Sequence, residues 1–136
     1  MIQVCCAIIR NGDKMLAVQH GQGSSHPWQW EFPGGKIQAD ETAEACIIRE
    51  IEEELMIRID ILGELESVEF DYGTKQVRLI PFVCKVASGE IQLTEHIAQR
   101  WIGLEDWETI EWSGADRKLI QQNRKHLKVL LCGDRN

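Results

Sequence analysis

Glu50, Glu53 and Glu54 stand at spacings i, i+3 and i+4 in a stretch that carries no Gly or Pro. On a helix, at about 100° per residue, that spacing sets three carboxylates side by side on one face. Like charges so close repel one another and weaken the helix that holds them. A hard divalent cation that prefers oxygen, Mg2+ or Mn2+, offsets the repulsion and gives the cluster a chemistry. Such an ion bridges carboxylate to an anionic substrate and lowers the pKa of a bound water. A solvated acidic face is the usual explanation of a Glu-rich helix. Against it stands the Gly34-Gly35 turn just upstream, because glycines allow close backbone approach and can aim a carbonyl oxygen at an ion.

The flanking residues predict the elements that must position these groups. Asp40 stands where an N-cap is needed, able to accept from the orphan N–H groups of a first turn. From Glu41 onward Ala, Ile, Arg, Glu and Leu favour helix. Ile47, Ile48, Ile51 and Leu55 form a separate apolar face for burial. Ala43 and Cys46, both small, precede the carboxylates by one to two turns and leave open space beside them. Ile57 to Ile61 alternates apolar and polar residues and predicts a strand.

The segment Gly34 to Ile57 resembles the Nudix box, Gly-x5-Glu-x7-Arg-Glu-U-x-Glu-Glu-x-Gly-U, where U is a bulky aliphatic. Gly35, Glu41, Arg49, Glu50, Ile51, Glu53, Glu54 and Ile57 occupy their slots, eight of the nine defined positions. The ninth, a helix-ending glycine in the family, is Met56 here, which alters the expected C-cap and no metal ligand. The context Trp30 to Lys36 is similar to the MutT branch of the superfamily. The resemblance is tight in the box and loose elsewhere. It implies that Glu50, Glu53 and Glu54 hold Mg2+ or Mn2+ with the Gly34 carbonyl as an added ligand. It also implies that Arg49 orients a glutamate by a bidentate salt bridge, that Glu41 is a supporting partner, and that Glu53 or Glu95 is the base for the attacking water.

Composition sets the limits. One domain is expected over residues 1–136, long enough for a proper core at 43% hydrophobic content. The net charge of −7 disfavours binding to a nucleic-acid polymer. Metal mediation still admits a small polyphosphate. The five cysteines, Cys5, Cys6, Cys46, Cys84 and Cys132, show no C-x-x-C pairing and are expected as reduced, mostly buried thiols of a cytoplasmic protein. Neither a signal peptide nor a membrane-spanning apolar run is visible. A monomer and a homodimer are both open.

Along the rest of the chain, Ile2 to Ile9 predicts a buried strand, Asn11-Gly12-Asp13 a hairpin turn, and Met15 to Gln19 its partner. Gly21 to Pro27 is a loop with Gln19-His20 before it, where MutT-type relatives commonly carry a phosphate-assisting arginine. His20 is either a substitute or a surface histidine. Trp28, Trp30 and Phe32 alternate with polar residues and are expected in the core. Lys36 is a phosphate clamp or a solvated lysine. Ile57 to Phe70 predicts a strand broken at Gly63, Lys75 to Ala87 a long strand, and Ile91 to Leu93 a short one. Arg78 faces substrate or a neighbouring carboxylate. Trp101 to Leu104 returns to strand. The Glu-His-x4-Trp pattern at Glu95, His96 and Trp101 resembles several MutT-type pyrophosphohydrolases, although the metal-binding glutamate that precedes this tryptophan in MutT is Arg100 here. Asp116 is an N-cap for the last helix or, by resemblance, a base contact. Arg117 to Leu131 predicts a helix, and Gly133 to Asn136 should fray.

Strands on either side of a long helix, with a second helix at the end, predict an α/β/α sandwich around a mixed β-sheet, which is also the Nudix fold. The MutT resemblance implies hydrolysis of a nucleoside triphosphate to the monophosphate and pyrophosphate, on CTP or another pyrimidine nucleotide, or on 8-oxo-dGTP. Substrate contacts then fall to Lys36, Arg78 and Asp116. Two other functions are open: a catalytically silent nucleotide-sensing module, and a hydrolase of another nucleoside diphosphate derivative such as ADP-ribose. Sensing modules tend to lose box carboxylates, and this chain keeps all three.

Overall fold

The computed structural model describes residues 1–132; the expected fraying of Gly133 to Asn136 lies outside them. Strand β1 (Ile2–Asn11) is the centre of the sheet. It runs parallel to β7 (Gln76–Ser88) with Ile2 opposite Val77 and Ile9 opposite Cys84. The other pairings are antiparallel: β1 with β2 (Lys14–Gln19) and β4 (Gly34–Lys36), β2 with β3 (Trp30–Glu31) and β8 (Ala98–Ile102), and β7 with β5 (Arg58–Glu64) and β6 (Val68–Asp71). The Asn11-Gly12-Asp13 signal makes the β1–β2 hairpin, with Gly12 at a φ of 63°.

The alternation of β1 divides the core in two. Cys5, Ala7 and Ile9 pack with Leu16, Val18 and the buried face of α1 (Ala43–Leu55), namely Cys46, Ile47, Ile51 and Leu55. Cys6 and Ile8 pack on the other face with Met15, Phe32 and Trp112 and with Leu119, Ile120, Leu127 and Leu131 of helices α2 (Gly114–Gln122) and α3 (Arg124–Cys132). Helices thus cover both faces of a mixed sheet, the expected sandwich. Cys5, Cys6, Cys46 and Cys84 are buried free thiols.

Several local expectations are corrected. Asp40 does not cap α1. It adopts a φ of 68° in the preceding turn, and the Thr42 hydroxyl accepts from the Ala45 N–H at 3.0 Å instead. Met56 takes the left-handed conformation of the missing glycine, with a φ of 58°, and donates its N–H to the Glu52 carbonyl. Strand β5 runs through Gly63 by a register shift, and the break comes at residues 65–67. Ile91 to Leu93 is no strand: the Gln92 and Thr94 N–H groups satisfy the Leu55 and Glu54 carbonyls at the end of α1. Trp28 lies outside any strand, 52% exposed, whereas Phe32 is buried against Trp112. The terminal helix is two helices, because the buried Asn123 side chain bonds Glu66 on both its N–H and carbonyl and turns the chain there. Asp116 does not cap α2. Ser113 stands at that position, and the Asp116 carboxylate takes the Phe32 N–H at 2.9 Å together with the Ser113 hydroxyl.

Candidate active site

One cavity of about 500 Å³ opens between the β1–β4 pair, the C-terminal end of α1 and the 94–96 segment. Gly34, Gly35, Lys36, Glu54, Glu95 and Asp116, all named by the sequence, line it, joined by His20, Glu31, Phe32, His96 and the Gly21–His26 loop. Arg78 does not. It projects exposed from β7, in register with Glu69 of β6, and the structure does not bring it to this cavity.

The glycine turn is shaped by crowding. A Cβ on Gly34 would lie 2.0 Å from the Cys5 carbonyl oxygen, and one on Gly35 only 2.4 Å from the Glu50 carboxyl carbon. Gly35 therefore lets the Glu50 carboxylate lie directly against the backbone of β4. Arg49 fixes the carboxylates. Its Nε and Nη2 donate to the two oxygens of Glu41, each at 2.8 Å, and its Nη1 reaches Glu50 at 2.8 Å and Glu53 at 3.2 Å. The Arg49 hydrogen bonds, with help from the Gln38 N–H, hold the Glu41 carboxyl down at about 2. The planar fork, not the charge alone, permits this set of contacts. Of the three box carboxylates, Glu53 is the exposed one.

Glu54 is the opposite case. It is 1% exposed, and among the described residues neither carboxylate oxygen meets an N–H or hydroxyl donor. Burial, then the charge of Glu31 and the neighbouring Glu50 carboxyl, with which the protonated acid shares a hydrogen bond, push its pKa up to about 10. A buried carboxylate without a partner is costly, and a cation is the partner that oxygen donors so arranged would take. The donor set of Glu50, Glu53 and Glu54 is all oxygen and fits Mg2+ or Mn2+. The Thr94 hydroxyl donates to the Glu53 carbonyl at 2.7 Å, which ties the Glu95–His96 segment to the end of α1.

Sequence reasoning named His20 and His96 but missed Glu31, which joins them on the cavity wall. Glu31 accepts from His20 Nε2 at 2.9 Å and from His96 Nε2 at 3.0 Å. Burial opposes its ionisation, but the two histidines outweigh this and hold its carboxyl below the usual range. The same contact raises the pKa of His20. The available signal was the alternation Trp30-Glu31-Phe32, which turns Glu31 away from the face of its aromatic neighbours.

A NUDIX domain model matches residues 1–122. The chain is 30% identical over 121 residues to the CTP pyrophosphohydrolase of Escherichia coli, covering 89% of this chain and 90% of that one. It is 32% identical over 124 residues to the 8-oxo-dGTP diphosphatase of Haemophilus influenzae, covering 90% of each. The crystal structure of the MutT protein from Methanosarcina mazei superposes with a TM-score of 0.83 at 27% identity, covering 93% of this chain and 95% of that one. With Glu50 packed on the glycine turn, Glu54 in the cavity wall, and the family model spanning residues 1–122, the chain belongs to the NUDIX domain family.

Proposed function

We propose that this Nudix protein hydrolyses a nucleoside triphosphate to the monophosphate and pyrophosphate with Mg2+ or Mn2+, acting on CTP or a related pyrimidine nucleotide. The observation that carries the reading is Glu54, a buried carboxylate with no N–H or hydroxyl donor among the described residues, at the wall of a cavity of nucleotide size. Glu50, Glu53 and Glu54, with the Gly34 carbonyl, would hold the metal. Bound there, a divalent cation neutralises phosphate charge and lowers the pKa of a coordinated water.

The protein's own groups do the rest. Arg49 keeps Glu50 and Glu53 in place through the fork it shares with Glu41. Lys36, on the cavity wall, pairs with a phosphate oxygen. Glu53, exposed to solvent, or Glu95, on the wall, takes the proton of the attacking water. Positioning and charge complementarity supply most of the rate in such displacements.

Asp116 selects the base. Burial, then the charge of Glu31, push its pKa up to about 7. In its protonated form this carboxyl offers a donor and an acceptor together, the pair that the N3–N4 edge of cytosine matches. The name of the Escherichia coli relative supports this reading, while that of the Haemophilus influenzae relative favours an oxidised purine, 8-oxo-dGTP. The test is kcat/KM on CTP, dCTP, 8-oxo-dGTP and ADP-ribose with every product identified. A cytosine nucleotide should lead by about tenfold or more. ADP-ribose in the lead, or tight metal-dependent nucleotide binding without turnover, would overturn the reading.

A further inference from the structure

His96 is set in the cavity wall with one ring nitrogen used and the other idle. Its side chain is 4% exposed, and Nε2 lies 3.0 Å from Glu31 Oε2. An ionised carboxylate only accepts, so Nε2 carries a proton, and in the neutral ring that tautomer leaves the lone pair on Nδ1. Among the described residues Nδ1 is buried without a hydrogen-bond partner, and neither oxygen of Glu54 meets an N–H or hydroxyl donor. The two orphans face each other, Nδ1 lying 3.8 Å from Glu54 Oε1. That is too long for a hydrogen bond. Neighbouring ligand atoms of an octahedral cation with bonds of about 2.1 Å stand about 3 Å apart, so a side-chain shift of under about 1 Å would bring both atoms onto one ion.

Resting on the reading of Glu54 as a metal ligand, we propose that His96 Nδ1 is a nitrogen ligand to the same cation, so that the centre favours Mn2+ over Mg2+. The surroundings are those of a ligating histidine, whose second nitrogen donates to a carboxylate that fixes the ring and raises its basicity. Glu31 plays that part, braced in turn by His20 Nε2 at 2.9 Å. The chain on either side is pinned: the Thr94 N–H bonds the Glu54 carbonyl at 3.0 Å, and the Ile97 N–H bonds the Gln19 carbonyl at 3.1 Å. Imidazole nitrogen suits transition metals, whereas an all-oxygen set suits Mg2+ equally well. His20, Glu31 and His96 also stand close enough to hold an ion among themselves. There, however, both Nε2 atoms already face the carboxylate, and the idle atoms lie on the Glu54 side of the ring.

The full chain is titrated with Mn2+ alone, and pulsed EPR reads nitrogen coupling at the bound ion. Wild type should show a directly bound 14N. Labelling with 15N-histidine should convert that signal to 15N without any mutation. His96→Gln should lose the signal and weaken Mn2+ binding by about tenfold, with Mg2+ binding changed less. His20→Gln should keep the signal. Mn2+ bound in a Glu54-dependent way with no nitrogen coupling overturns the proposal alone, as does a coupling that survives His96→Gln or disappears in His20→Gln only. Mn2+ binding indifferent to Glu54→Gln overturns the metal-centre reading as well.

Discussion

Replacing Glu54 by glutamine should make the metal-free protein more stable while removing its activity. In the folded chain Glu54 stays protonated up to a pKa of about 10, against an ordinary value of 4.5. The sign follows from linkage. A raised pKa gives a contribution that is complete below pH 4.5 and is lost as pH climbs towards 10. At pH 7 the unfolded chain has ionised and the folded one has not, over about 2.5 pH units at about 1.36 kcal/mol each, a cost of about 3 kcal/mol. A glutamine carries no such cost, and its amide replaces a carboxylic acid of similar polarity and shape. For a chain of this size 1 kcal/mol moves Tm by about 3–4 °C, so a gain of up to about 10 °C at pH 7 is expected in chelator. The gap should close near pH 4.5. Adding Mn2+ should stabilise the wild type by about 2.7 kcal/mol at a hundredfold excess over Kd, read as a higher Tm, and move the variant far less. Differential scanning calorimetry between about pH 4.5 and 8, with and without Mn2+, reads all of this. A stability gap independent of pH, or equal Mn2+ shifts in the two proteins, would refute the reasoning.

Three further outcomes are expected. Met56→Gly removes a left-handed methionine that is 55% exposed and should raise stability by about 1 kcal/mol, read as a Tm higher by about 3–4 °C; an unchanged or lower Tm would contradict the C-cap assignment. Arg49→Lys keeps the charge but cannot span Glu41, Glu50 and Glu53 together, so metal affinity or hydrolysis should fall about 10–100-fold, in steady-state kinetics at varied Mn2+. Asp116→Asn keeps a donor and an acceptor on the cavity wall but removes the titrating group; kcat/KM for the preferred nucleotide should hold while its pH dependence near neutrality flattens, and Asp116→Ala should lower kcat/KM by about tenfold.

The helix-borne part of the site was legible because spacing alone sets it. Glu50, Glu53 and Glu54 are neighbours on any helix, and the Gly34-Gly35 turn needs only backbone crowding to explain it. The main strands and the helix-covered sheet followed from apolar runs separated by clear turns. What was not legible came from long-range pairing. His20, Glu31 and His96 meet only because β2 lies between β3 and β8, and nothing local to any of them announces it. Asp116 reads as a cap of its own helix, yet bonds Phe32, 84 residues away in sequence. Asn123 breaks the last helix by reaching Glu66 across the fold. Arg78 was left open between substrate and a neighbouring carboxylate, because a lone arginine in a strand gives no sign of which face its neighbours leave open; the strand pairing sets it opposite Glu69.

Hydrolysis of CTP by the purified chain, followed by phosphorus NMR with Mg2+, with Mn2+ and with chelator, tests the central claim most directly. Metal-dependent appearance of CMP and pyrophosphate, abolished by Glu54→Gln, is the expected result. Release of orthophosphate with CDP, or turnover that survives both the chelator and the substitution, would contradict the placing of the reaction on the carboxylates of α1.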